Sequence, residues 1–169
     1  MSKIGILVAS ATNNRKLGDK LQELASAENV ETIVVNLVDL HLPLYSTVEE
    51  ERNGIPDTAK NLAEQILALK AFIIVAPEYN GVMPPVLNNA MAWTSRATEH
   101  WRDAFDAKVV GLATHSGGGG TKGLQAMRIQ FQHLGANILA REILTTYEKP
   151  LNEEAATIMI QQLVKLSRD

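Results

Sequence analysis

The chain has 169 residues, 46% hydrophobic and 21% charged, which suits a single soluble domain, residues 1–169, with a core of its own. Its formal net charge of −3 gives no electrostatic case for binding nucleic acid or an anionic membrane surface. The absence of cysteine removes disulfides, thiolate catalysis and zinc–thiolate sites, so any redox chemistry has to come from a bound cofactor.

The start, MSKIGILVASA, has a lysine, a short apolar run and small residues. The run ends at Ala9, shorter than the core of a signal peptide, and a polar loop follows directly. No apolar run approaches the roughly 20 residues needed to span a bilayer. A cytoplasmic protein without membrane or nucleic-acid partners is expected.

Residues 3–10 form a first strand carrying Ile4, Ile6, Leu7 and Val8. The polar loop Ser10-Ala11-Thr12-Asn13-Asn14 follows, and a helix opens near Arg15 with Leu17, Leu21 and Leu24 on one face. A strand running into a polar loop and a helix N-terminus is an anion site, because unpaired N–H groups and the helix dipole favour a phosphate there. Ser10, Thr12 and Asn14 add side-chain donors and Arg15 adds charge. The competing reading is that Asn13 or Asn14 caps the helix. Residues 31–37 form a second strand, and 39–56 a long connection without clear periodicity, of a kind that is often functional, although Glu49, Glu50, Glu51 and Arg52 read at least as well as a solvated excursion. Asp57 or Thr58 caps the next helix, with Leu62, Ile66 and Leu69 on its inner face.

Residues 71–93, AFIIVAPEYNGVMPPVLNNAMAW, carry the densest pattern. The short apolar run 71–76 fits a strand buried on both faces. Pro77 ends it, and Glu78-Tyr79-Asn80-Gly81 is a turn that sets a carboxylate, an aromatic and an amide side by side. Pro84 and Pro85 open a helix with one stripe of Val86, Ala90 and Trp93 and another of Leu87, Met91 and Thr94. Two apolar stripes need cover on two sides, from a second subunit or from the connection 95–107. Trp93 and Trp101 read as core or interface residues. A fourth strand at 108–114 ends in His115-Ser116-Gly117-Gly118-Gly119-Gly120-Thr121, a backbone able to approach a ligand closely. Leu124, Met127, Phe131 and Leu134 mark a helix that Gly135 stops. Residues 136–143 are a fifth strand, and 151–166 a last helix capped by Asn152.

Strands that alternate with helices imply an α/β fold, a doubly wound parallel sheet between two helical layers. In the order 2-1-3-4-5 such a five-stranded sheet is flavodoxin-like, with a ligand crevice where the first and third strands adjoin. The loops after strands one, three and four then meet at one edge.

The PEYNG loop, its following proline and VLNNAMAW resemble the signature of the NADPH-dependent FMN reductase family, which has that fold. So does the connection 39–56, an Asp-Leu, a Leu-Pro with an aromatic, and an acidic stretch ending in Ile-Pro. The first loop departs from the family pattern, being shorter and placing its arginine, Arg15, at the helix start. The resemblance implies FMN as cofactor, with its phosphate on Ser10, Thr12, Asn14 and Arg15. Pro77, Glu78, Tyr79, Asn80 and Gly81 on one side, and His115, Ser116, Gly117 and Gly118 on the other, are expected to flank the ring. Hydride would pass from NADPH or NADH through FMN to a small-molecule electron acceptor such as a flavin, quinone, azo compound or metal oxyanion, in ping-pong order. The protein itself then supplies no nucleophile, general base or metal ligand. A homodimer or a dimer of dimers is expected. For several residues a second reading stands: Glu78 caps or pairs locally, and Tyr79 packs with a wet hydroxyl. The alternative function is a flavodoxin-like electron carrier that does not itself oxidise NAD(P)H. A third reading keeps the fold as a nucleotide-binding module without flavin.

Overall fold

Each apolar run becomes a strand in the computed structural model, which describes residues 3–167. The elements are β1 (Lys3–Val8), α1 (Asn13–Ala27), β2 (Glu31–Asn36), α2 (Thr47–Asn53), α3 (Asp57–Leu67), β3 (Ala71–Val75), α4 (Pro85–Arg96), β4 (Val109–His115), α5 (Thr121–His133), β5 (Asn137–Thr145) and α6 (Glu153–Leu166). The strands pair in parallel in the order β2-β1-β3-β4-β5, the flavodoxin-like order expected from the sequence.

The sheet divides two cores, and the alternation of strand side chains decides which residue enters which. Phe72 and Ile74 of β3 point into one core with Leu62 and Ile66 of α3, Leu87 and Met91 of α4, and Met127 and Phe131 of α5. Ile73 and Val75 point into the other, against Leu17 and Leu21 of α1 and Met159, Ile160 and Leu163 of α6. That is why residues 71–76 show no alternation of polarity: both faces of β3 are buried. Among the described residues no helix is long and apolar enough to cross a membrane.

Four local readings need correction. Neither Asn13 nor Asn14 caps α1; Thr12 holds the cap position, without a side-chain bond. Asp57 is the first helical residue of α3, paired with Lys60 at 2.9 Å, and the cap position falls to Pro56, which has no side chain to donate or accept. The connection 39–56 contains α2, whose cap Ser46 accepts from the Glu49 N–H at 3.0 Å. Glu50, far from being merely solvated, accepts from Arg96 Nε and from the Tyr45 hydroxyl. Fourth, β5 runs on to Thr145, and His115 is the last residue of β4, paired with it. By contrast Asn152 caps α6 through Ala155 N–H, and Gly135, at φ 89°, ends α5 with Ala136 N–H bonded to Phe131 O.

The two stripes of α4 are covered from within the chain. Trp93 is fully buried, its Nε1 donates to Pro43 O at 2.7 Å, and Tyr45 packs edge-on against it at 5.0 Å. The segment 43–45 thus covers the Trp93 stripe that the sequence left to a partner or to residues 95–107. Trp101 is half-exposed and stacks on His133.

At the amino edge of the sheet, Lys108 Nζ donates to Ile66 O at 2.7 Å and to Leu67 O at 3.2 Å, the open carbonyl end of α3. Burial pushes its ammonium down from 10.5 to about 8. Between those two values the unfolded chain holds more of this proton than the folded chain, so stability due to Lys108 rises with pH. The difference in unfolding free energy between wild type and Lys108→Met is expected to grow in favour of wild type from pH 8 to 10.5. A difference that stays flat across this window contradicts the burial of the charge.

Candidate functional site

The strand order reverses between β1 and β3, and the loops beyond their carboxyl ends open a crevice there. The crevice holds a cleft of about 180 Å³. The first loop contributes Ser10, Thr12, Asn13 and Asn14; the third contributes Pro77, Glu78 and Tyr79. The fourth contributes His115, Ser116 and Gly117, and the segment after β5 adds Tyr147. Of the residues named from the sequence, Arg15, Asn80, Gly81 and Gly118 do not line it.

The first loop sets its polar groups together. Ser10 Oγ accepts from Thr12 N–H at 3.2 Å and lies 3.4 Å from Thr12 Oγ1, setting two hydroxyls beside the start of α1. With no side-chain cap, the first-turn N–H groups of α1 are left for a ligand. Arg15 turns the other way: its Nε binds Asp19 at 2.9 Å and its NH1 lies 3.8 Å from Asp39.

Asn14 is 2% exposed and has both polar ends engaged. Its Nδ2 donates to His115 O at 2.8 Å and its Oδ1 accepts from His115 N–H at 2.7 Å. The amide thus imitates a strand neighbour and bolts the first loop to the end of β4. Asn14 positions the cleft, and one of its two Nδ2 hydrogens remains beyond the bond to His115 O.

The third loop is a tight hairpin. Tyr79 and Val82 exchange both backbone bonds, at 2.9 and 3.0 Å. Asn80 at φ 52° and Gly81 at φ 78° are the Asn-Gly pair that such a primed turn requires. Tyr79 is left half-exposed at the tip. Glu78 caps, but not locally: its Oε2 accepts from Gly123 N–H at 2.9 Å, in the first turn of α5. The carboxylate meets the positive end of that helix, whose own cap residue Gly120 offers no side chain.

In the fourth loop only Gly120, at φ 75° and packed on Thr114 and Ser116, needs to be glycine for its conformation. A Cβ at Gly118 or Gly119 meets nothing within 4 Å, so these residues form an open, bare rim. Gly118 N–H is bonded to Ser116 Oγ at 3.3 Å, and Gly117 N–H has no partner among the described residues.

His115 Nδ1 lies 3.0 Å from Thr145 Oγ1, which in turn lies 3.2 Å from Thr114 O, and the hydroxyl's single proton serves one of the two. His115 Nε2 is buried without a partner among the described residues.

Sequence reasoning missed two cleft residues. Asn13 reads from the sequence only as a helix cap, and Tyr147 lies beyond the expected end of the fifth strand. The β-prone run Leu144-Thr145-Thr146-Tyr147 was the available signal.

A sequence profile described as NADPH-dependent FMN reductase matches residues 2–148. The chain belongs to that family. By family it is an oxidoreductase, with FMN as its flavin and NAD(P)H as donor. A 2-hydroxy-1,4-benzoquinone reductase from a Burkholderia species is 36% identical over 98 residues, 56% of this chain and 50% of the relative. A quinone reductase of Escherichia coli K12 is 35% identical over 83 residues, 49% of this chain and 43% of the relative. The chain thus matches only about half the length of these reductases or less. An uncharacterised protein from Mycoplasma pneumoniae is 25% identical over 94% of this chain and 96% of its own length. Among solved structures, FerB, a flavoenzyme NAD(P)H:acceptor oxidoreductase from Paracoccus denitrificans, superposes with a TM-score of 0.74 at 19% identity, covering 99% of this chain and 96% of its own. At that identity the likeness shows the fold.

The donor set fits the family's cofactor. Two hydroxyls and an uncapped helix N-terminus suit a phosphate, while the Tyr79 hairpin and the bare glycine rim leave room for a flat ring.

Proposed function

We propose that this protein is an NAD(P)H-dependent reductase of small electron acceptors, quinones foremost, that holds FMN at the carboxyl edge of its sheet. The observation that carries this reading is the double Asn14–His115 bond, which with Glu78–Gly123 gathers three loops around one cleft. Ser10, Thr12 and the N-terminus of α1 hold the phosphate; Asn14 and Glu78 fix the loops. The Tyr79 hairpin and the rim at Gly117 flank the ring, and Gly117 N–H offers a hydrogen bond to negative charge on it. Bound FMN supplies hydride acceptance from a nicotinamide and electron release to the acceptor. The exposed hairpin keeps one side of the site open, so that donor and acceptor occupy the same place in turn. Parallel double-reciprocal plots are the expected result; intersecting lines contradict that order.

The nicotinamide donor fits a cytoplasmic reaction. A second copy of the chain packing beside α4 accounts for exposed Leu44, Val48, Val82 and Ile129 on the neighbouring segments. A monomeric mass in solution removes that part.

The decisive experiment is an absorption spectrum after FMN loading and removal of excess, followed by anaerobic NADPH. Retained flavin bands that bleach within seconds are expected. Retained bands that bleach only over many minutes make the protein a carrier, and absence of bound flavin contradicts the reading.

A further inference from the structure

Tyr147 is 77% exposed, yet it is held in place. Its ring stands edge-on to the His115 imidazole at 5.2 Å, and its Cε2 lies 3.5 Å from where a Cβ on Gly117 would be. Its hydroxyl oxygen accepts from Asn13 Nδ2 at 3.1 Å. That bond uses a lone pair and leaves the phenolic proton without an acceptor among the described residues.

The cleft that Tyr147 lines holds Ser10 and Thr12 but no lysine or arginine, and the nearby Arg15 is tied to Asp19. Glu78 adds a carboxylate to the same wall. A phosphate bound there depends on neutral donors and the helix dipole, so one more oriented O–H weighs heavily.

We infer that Tyr147 is a phosphate-binding residue: its hydroxyl, turned by Asn13, donates to the phosphate of the bound mononucleotide. The segment after β5 then forms a fourth wall of the site, beside the three loops named above. This rests on the FMN reading. It makes Tyr147 a residue that separates FMN from riboflavin, which has the same ring and no phosphate.

The test is a pair of flavin-fluorescence titrations, with FMN and with riboflavin, on wild type and Tyr147→Phe. Phenylalanine keeps the ring against His115 and removes only the hydroxyl. FMN affinity is expected to fall about tenfold, as for a hydrogen bond to a charged group, while riboflavin affinity stays within about twofold. Asn13→Ala, which frees the hydroxyl without removing it, is expected to cost FMN about threefold and riboflavin nothing. An equal loss for both flavins in Tyr147→Phe makes the residue a packing element and overturns the inference, as does unchanged FMN binding. If wild type binds neither flavin, the FMN reading falls, and this inference with it.

Discussion

Asn14→Ala is expected to lose about 3 kcal/mol of stability and most of the affinity for FMN. The substitution removes two buried hydrogen bonds and leaves the N–H and C=O of His115 without their partner. Unpaired buried backbone groups carry their full desolvation penalty, which exceeds the net value of the bonds themselves. Asn14→Asp keeps the size and one acceptor but turns an oxygen toward the His115 carbonyl, so it is expected to do worse than alanine. Urea unfolding monitored by Trp93, fully buried in the core, reads the stability, and flavin titration reads the site. A loss below about 1 kcal/mol with normal FMN binding shows that the loops hold together without this amide.

The second large effect is expected at Gly123, where Glu78 comes closest to α5. A Cβ there falls 2.9 Å from Glu78 Cβ and 3.2 Å from Glu78 Cα, so the third loop has to move as backbone. Overpacking of this kind costs roughly 1–3 kcal/mol, against which alanine gains about 1 kcal/mol of helix propensity. Gly123→Ala is therefore expected to be only about 1 kcal/mol less stable and yet to bind FMN at least about tenfold more weakly, since the hairpin is displaced. Glu78→Gln keeps an acceptor for Gly123 N–H and gives up only the charge at the helix end, so about 0.5–1 kcal/mol is expected. If Gly123→Ala binds FMN as wild type does, the Glu78 contact plays no part in placing the hairpin.

The fold was legible because its signals are local. Runs such as 4–8 and 71–76 are short and apolar without alternation, which suits a strand covered on both faces. The loops of the site were also legible, by residue type and by the turn chemistry of Asn80-Gly81. What joins them was not. Asn14 reaches across 101 residues and Glu78 across 45, and each ends on a backbone atom that any residue would present. Asn14, expected as a donor to phosphate, also clamps the first loop to β4, and Arg15 pairs with Asp19, an i,i+4 neighbour the spacing could have shown, and lies near Asp39, which no spacing marks. The cover over Trp93 was hidden in the same way, since it is a carbonyl, Pro43 O, 50 residues away that binds the indole.

The distances along the chain that these clamps span bear on how the protein is made. A nascent chain that has exposed only β1, α1 and β2 holds Ser10 and Thr12 but nothing to fix Asn14. The first clamp can close only after residue 115 is free, and the Glu78 bond only after residue 123. Contacts of such long separation form late and slowly. During synthesis the cofactor therefore meets no finished cradle until most of the polypeptide has emerged, and flavin capture follows folding of the β3–β4 half rather than guiding the first strands together.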